Sequence, residues 1–459
     1  MKLFSMKKLI ILSLLLSNIT AKTITGEGSG TNQEEAKKDA LADLSNSISV
    51  DVKSEFKSID KILGDKYAKQ KEKRIDLVSN LPIIGVKFNT KENPQEIKII
   101  AKLDSKTSLK IYENELNRLA KNINSNIKKL NTKDKNTKYF ILNKTLEDIN
   151  NFNKYKVVAI ILGAKNIPKL NITKDEIEIS LKKYTQIAPT LKIASKLLTK
   201  DITQKNIYIT AIKPYGSNEV TPFARILKNL MSQNLSTTKY SSKASYFLRG
   251  NYEVLKDGIF VTINLYDINN NIIKTNTIKL SPQAYKNIRY KPTTKTFDEA
   301  INSEFVKSGD LRVNIGFRGY NRVDGIDLTK GDKVDLVIKS NKPICYYIVG
   351  SVLHNKHKFS YILVPISYIT GEDVNRAITI ASDVEVSAPF GRENLKIVAS
   401  TFKDKCHLKP PVCKENDEGY CVISNNPAKV IKTITRGLKL HKPKIQKATD
   451  SISWTSFEK

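Results

Sequence analysis

The chain has 459 residues, with 77 Lys and Arg against 46 Asp and Glu and a formal net charge of +31. That length suits about three domains of ~150 residues, and the charge raises nucleic acid as a partner. The basic residues are overwhelmingly Lys, though, spread along the whole length among Asn and Ile. Few Arg are present to make bidentate contacts to bases or phosphates. A solvated Lys-rich surface, attracted at most to anionic envelope polymers or lipid headgroups, fits better than nucleic acid.

The opening "MKLFSMKKLIILSLLLSNITA" has Lys2, Lys7 and Lys8, an apolar core over 9–16 and a polar exit ending in Ala21. That is a cleavable secretory signal, with cleavage expected between Ala21 and Lys22 and Ile19 standing where Ala is usual. The apolar core is shorter than the ~20 residues a membrane span needs, and "VVAIILGA" at 157–164 is interrupted too soon. The first cysteine is Cys345, so none follows the signal to carry a lipid. The expected location is the periplasm, with outer-membrane association left open.

Next comes "TITGEGSGTNQEEAKKDAL", with Gly26, Gly28 and Gly30 ahead of a helix-like run. Glycines between strand and helix suggest a phosphate cradle. The spacing is not Gly-x-Gly-x-x-Gly, and no Walker lysine follows. Thr31-Asn-Gln-Glu34 also reads as a capping box, which consumes the amides a phosphate would need. The glycines are therefore read as a turn, and no cofactor is expected. Ala36, Ala40, Leu41, Leu44 and Ile48 recur at helical spacing. "ISVDVKSEF" then alternates as a strand over 48–56. "LPIIGVKF" and "EIKIIAKLD" read as two more strands, before a helix from Ser105 carrying Leu109, Tyr112, Leu116, Leu119 and Ile123. The predicted order is strand, helix, three strands, helix: an α+β domain over 22–125.

The stretch "GEGSGTNQEEAKKDALADLSNSISVDVKSEF", with the later "IKIIAKLDSKTSLKIYENEL", resembles the LPP-twenty lipoprotein family. That family includes small envelope proteins and basal-body accessory proteins of bacterial flagella. The resemblance implies binding and assembly rather than catalysis. This chain departs from the family in lacking the lipidated cysteine.

Residues 126–200 are polar and helical. "TLEDINNFNKYKVVAIIL" and "TKDEIEISLKKYTQIAPTLKIASKLL" give amphipathic stripes that fit a helical hairpin or a coiled-coil partner face. An α+β unit over 201–292 opens at "NIYITAIKP". Thr221 caps a helix with Pro222 at its first position, and Phe223, Ile226, Leu227 and Leu230 form its stripe. "ASYFLRGNYEVL", "GIFVTINLYDI" and "IIKTNTIKL" follow as a meander, turned at Asp257-Gly258 and at Asn269-Asn270-Asn271. Strand, helix and meander in this order are similar to the N-terminal domain of the TolB family.

From 300 to 425 the pattern is all-β and sandwich-like, with strands "LRVNIGF", "GDKVDLVIKS", "ICYYIVGSV", "KFSYILVPI", "AITIA" and "LKIVAS". The run "LTKGDKVDLVIKSNKPICYYIVG", with "FSYILVP" and "VEVSAPFGRENLKIVAS", resembles the domain-of-unknown-function family forty-three eighty-four. Its most specific part is Pro389-Phe390-Gly391-x-Glu393. Arg392 and Glu393 are read as an ion pair in a turn flanking a strand, ahead of a catalytic role. Residues 426–459, with the single Trp of the chain at Trp454, read as a basic tail, disordered or a docking peptide.

Neither a Gly-x-Ser-x-Gly elbow nor a His-Glu-x-x-His helix is present. His354 and His357 read as part of a hairpin loop rather than a metal pair. "CHLKPPVCKENDEGYC" brings together Cys406, His407, Cys413 and Cys421, with gaps wider than the two to four residues usual in zinc sites. Export favours oxidation. Cys345, Cys406, Cys413 and Cys421 are the disulfide candidates. At least one bridge is expected within the 406–421 loop, and Cys345 either pairs with the third member or stays a buried thiol. No catalytic, cofactor-binding or metal residue is assigned.

The domain order is also similar to that of the flagellar H-ring proteins of the T type. The expectation is a multidomain, non-enzymatic, exported scaffold or assembly factor. It would bind envelope proteins or peptidoglycan, with outer-membrane or flagellar basal-body components among the candidate partners. The competing expectation is a periplasmic hydrolase whose site is assembled from dispersed residues.

Overall fold

Two glycines set how the first helix meets the first strand. Strand β1 (Thr23–Gly30) contains Gly26 and Gly28 in its interior, and helix α1 (Gln33–Leu63) lies across it. A Cβ on Gly26 would stand 2.3 Å from the Ala40 carbonyl oxygen, and one on Gly28 2.1 Å from the Ala40 nitrogen. These glycines are strand residues that admit a helix backbone at close range, not the expected turn. The structure, a computed structural model, describes residues 23–30, 32–63, 81–93, 96–132, 134–239, 241–294, 297–298, 300–301, 306, 308–320, 325–354, 358–417, 419–438 and 445–458. Thr31 lies outside them, and with it the expected capping box; Glu34 pairs with Lys38 at 2.9 Å.

Helix α1 runs straight through 48–56, where a strand was expected. Ile48 and Val52 satisfy both periods, because they are two steps of two and also one step of four. Both are fully buried in line with Ala36, Ala40 and Leu44, so the helical stripe prevails. Strands β2 (Lys87–Asn93) and β3 (Glu96–Asp104) complete an antiparallel sheet in the order β1-β3-β2. The expected strand "LPIIGVKF" is thus displaced toward its C-terminal end. Leu81 and Ile83 are buried ahead of it. Helix α2 (Ser105–Lys128) follows as expected, capped by the Asp104 carboxylate accepting from the Thr107 amide at 3.1 Å.

The segment 126–200, expected as a hairpin of its own, is divided between two cores. It holds α3 (Lys135–Ile161), α4 (Lys174–Tyr184), β4 (Ile187–Ala188) and α5 (Leu191–Thr199). The first apolar core runs from Ile24 on β1 through α1, α2 and α3 to Leu181 on α4. The second takes Leu191, Ala194 and Leu198 of α5. It also takes Phe223, Leu227 and Met231 of α6 (Pro222–Ser232), where Thr221 caps as expected and Ile226 is the exposed member of the predicted stripe.

Strands β5 (Ile207–Ile209), β6 (Lys213–Pro214), β7 (Tyr246–Leu255), β8 (Gly258–Asp267) and β9 (Ile272–Leu280) form the sheet behind that core. Its order is β4-β9-β8-β7-β5, with β6 also on β7, and the β7–β8–β9 meander turns where expected.

Helix α3 lies between these two cores, and its polar side chains serve the flank of β9. Asn143 accepts from the Thr277 hydroxyl at 3.1 Å. The Asn151 amide donates to the Ile272 carbonyl at 2.9 Å and accepts from the Ile272 amide at 3.0 Å, as a neighbouring strand would. Steps of four on a helix rise about 6 Å, close to two residues of strand. The helix thereby covers part of a sheet edge.

The C-terminal unit has strands β10 (Val313–Phe317), β11 (Asp327–Thr329), β12 (Lys333–Ser340), β13 (Ile344–Leu353), β14 (Lys358–Ile369), β15 (Ile378–Glu385), β16 (Arg392–Ser400), β17 (Lys414–Glu415) and β18 (Cys421–Ser424). Helix α7 (Pro427–Leu438) and strand β19 (Lys447–Phe457) follow. A three-stranded sheet, β10-β12-β15, packs over a seven-stranded one, β11-β19-β16-β13-β14-β18-β17, enclosing a core of side chains from both. On the far face of the larger sheet, Cys345, Tyr347 and Val398 pack against Val430 and Ile431 of α7. The expected tail is therefore no appendage: β19 pairs with β16 from Lys447 to Thr455 and carries Trp454 into the core. Strand β19 is buried on both faces over much of its length, at 448–450, 452 and 454–456, whereas the lysine-rich run at 439–444, which suggested a tail, lies outside the described residues.

Candidate functional site

Strand alternation separates the two residues singled out at the start of β16. Arg392 and Glu393 point to opposite faces, so the expected ion pair between them does not form. Arg392 donates through Nη2 to Asp298 Oδ1 at 3.0 Å, with side chains 1% and 0% exposed. Asp298 also accepts from the hydroxyls of Thr294, at 3.1 Å, and Ser217. Beside it the buried Glu219 accepts from Arg289 Nη1 at 2.6 Å and from the amides of Thr293 and Thr294 at 2.6 and 3.1 Å. The Val220 amide donates to the Thr455 hydroxyl of β19 at 3.0 Å. This face of β16 is a polar seam that fastens the middle unit to the sandwich.

Glu393 faces the other way, at the end of the sandwich interior. Its Oε1 accepts from Trp454 Nε1 at 3.1 Å and from the Ser456 hydroxyl at 2.6 Å. Register places Glu393 opposite Val352, Val352 opposite Phe359, and Gly350 opposite Tyr361. Cross-strand partners share a face, so Phe359 and Tyr361 lie on the Glu393 side, about 10 Å away across two strand spacings. The Tyr361 ring covers Gly350, where a Cβ would stand 2.3 Å from it. Tyr420 packs edge-on against Tyr361 with centroids 4.8 Å apart, and Phe359 lies 5.8 Å from each.

Burial pushes the Glu393 carboxyl up to about 7, against the opposing pull of the Ser456 and Trp454 hydrogen bonds and the Arg392 charge. Burial, with the Glu393 charge next, also raises the Tyr361 hydroxyl. A carboxylate that exchanges its proton near neutrality can act as an acid or a base, or can receive a cation.

The other candidates fall elsewhere. Cys345 bonds to Cys406, tying β13 to the loop after β16, and Cys413 bonds to Cys421, closing the β17–β18 hairpin. The second bridge lies within the 406–421 loop, and Cys345 pairs with the remaining member. His354 follows β13, while His357 lies outside the described residues, as do Ala21, Lys22 and the whole signal segment. Among the described residues no group of three or more His, Cys, Asp or Glu is placed to hold a metal ion, and no helix is long and apolar enough to cross a membrane. Asp298, Trp454 and Ser456 went unread as partners because they lie 94, 61 and 63 residues from their contacts.

No protein-family model matches this chain, and no curated protein matches it. Among solved structures it is similar to the secreted protein HP1454 from the human pathogen Helicobacter pylori. The identity is 16%, over 59% of this chain and 89% of that one, with a TM-score of 0.18. So loose a superposition carries no argument about fold or activity. The family resemblances rest on the motifs quoted for them.

Proposed function

We propose that the chain is an exported, non-enzymatic scaffold or assembly factor of the cell envelope, working by binding. The observation that carries this reading is the seam between units. Arg392 and Asp298, with Ser217, are spent on buried contacts that hold two units together, and Glu219 fixes the 289–294 segment beside them. A fixed arrangement of several surfaces suits a multivalent binder, whose modest affinities multiply through linkage. Two disulfides support folding in an oxidising compartment. The LPP-twenty and H-ring resemblances point to envelope structures near the flagellum, so basal-body components, outer-membrane proteins and peptidoglycan are the partners to seek. Crosslinking in intact cells, with identification of what is captured, tests this; recovery of the protein from the cytoplasm with its Met1 or Met6 terminus intact would refute it.

Glu393 supports a second reading, an envelope hydrolase. A carboxylic acid with its pKa near 7 has the proton affinity of a general acid. Release of soluble product from peptidoglycan, lost in Glu393→Gln, is the result that reading requires.

A further inference from the structure

We propose that the end of the sandwich around Glu393 is a binding site for a primary ammonium group, with Tyr361 and Tyr420 as its aromatic wall and the Cys413–Cys421 bridge fixing Tyr420 in place. The inference rests on the reading of the chain as a binding protein and names the chemistry of one ligand. Such a group is carried by a lysine-type peptide side chain or by an amino sugar, and both present the same cation.

Both donors to Glu393 converge on one oxygen. Trp454 and Ser456 come from alternate positions of β19 and fix the carboxylate in orientation. Oε2 has no hydrogen-bond partner among the described residues, and a carboxylate accepts at both oxygens. The aromatic side is built from β14 and the hairpin after it: Phe359 and Tyr361 stand on the sheet face, and Tyr420 closes over them. Tyr420 immediately precedes Cys421, so the bridge to Cys413 anchors it at the sheet margin. Tyrosine rings attract a cation lying within ~6 Å of their faces, and a carboxylate with aromatic walls is the usual receptor for an alkylammonium.

The electrostatics favour a cation over a neutral ligand. Burial disfavours the ionised carboxylate, and an arriving ammonium offsets that cost while releasing the Glu393 proton to solvent. A neutral sugar gains nothing from the ionisation. A metal ion would need further ligands, and none are grouped among the described residues.

Trp454 is the single tryptophan of the chain and donates directly to Glu393, so its fluorescence reports the site. The test titrates the full exported chain with Nα-acetyl-lysine methylamide and with glucosamine. The neutral controls are the Nε-acetylated lysine derivative and N-acetylglucosamine. A saturable change with the amines alone is expected, and the tighter of the two identifies the source. Because Glu393 must be ionised to bind, apparent affinity for the lysine derivative, whose ammonium stays charged throughout, should rise about tenfold between pH 6 and pH 8. Glu393→Gln keeps an acceptor for Trp454 and Ser456, and should lose at least about tenfold in affinity with an unchanged fold by circular dichroism. Tyr420→Ala should weaken binding as well. Equal response to the neutral controls, undiminished binding by Glu393→Gln, or no saturable change with either amine would overturn the proposal. Any of these leaves the scaffold reading standing, since that is judged separately by capture of partners in cells.

Discussion

Glu393 and Asp148 share one electrostatic situation in different settings. Burial raises both carboxyls, Glu393 to about 7 and Asp148 on α3 to about 6. A carboxyl raised in the folded state adds stability that is fully present below its unfolded pKa and is lost as pH rises through the folded value. The chain should therefore melt at a lower temperature at pH 8 than at pH 5 through these groups. Glu393→Gln and Asp148→Asn should each raise the pH 8 melting temperature and flatten the profile, over roughly pH 4.5–7 for the first and pH 4–6 for the second. Thermal melts across that range check this, and a variant that melts lower than wild type at pH 8 contradicts it. Arg392 is the opposite case: Arg392→Ala would strand the Asp298 carboxylate inside the seam, at a cost of about 3–5 kcal/mol in denaturant unfolding.

At the scale of elements, most of the β architecture was legible. Each of the six strands expected in the sandwich is present: β10 and β12 alternate with one face buried, whereas β13 and β16 are apolar runs buried on both faces. Thr221-Pro222 and the Asp257-Gly258 turn were equally plain, since local backbone chemistry dictates them. Three of the readings that failed did so for reasons no local window contains. The 48–56 segment satisfies two periods at once, and only the packing of α1 on β1 decides between them. Gly26 and Gly28 act through a helix that crosses them, a contact no local window contains. Helix α3 looks amphipathic, yet its polar side is spent on β9 rather than water. The candidate site was half legible: Glu393 stood out in its motif, while Trp454 was assigned to a tail. Two variants test the corrected elements. Asn151→Ala leaves the Ile272 amide and carbonyl without their partner in a buried position and should cost about 2–4 kcal/mol. Gly28→Ala drives a methyl into the α1 backbone and should cost about 3 kcal/mol or more. A loss below about 0.5 kcal/mol for either, as for an ordinary surface change, contradicts the packing described.

Across the whole molecule, the units are tied at several separate places. Asp43 on α1 accepts from the Glu27 amide at 2.7 Å and pairs with Lys339 on β12, joining the first unit to the last. Lys228 on α6 pairs with Asp327 on β11 at 2.6 Å, beside the buried seam. The two bridges constrain the sandwich unequally, because Cys345–Cys406 spans 61 residues and Cys413–Cys421 spans 8. In the chain-entropy model, removing the first as a double Ala variant should cost about 4 kcal/mol and the second about 2.5 kcal/mol. Alkylation of the native protein under denaturing conditions should find no free thiol. The central claim, function by binding without catalysis, is tested most directly by incubating the purified chain with cell walls that retain their attached proteins. Retained protein and soluble wall fragments are then measured in the same sample. Retention that saturates is expected, with no fragments above the level of the walls alone. Release of fragments that grows with time and disappears in Glu393→Gln would contradict it and make the chain an enzyme.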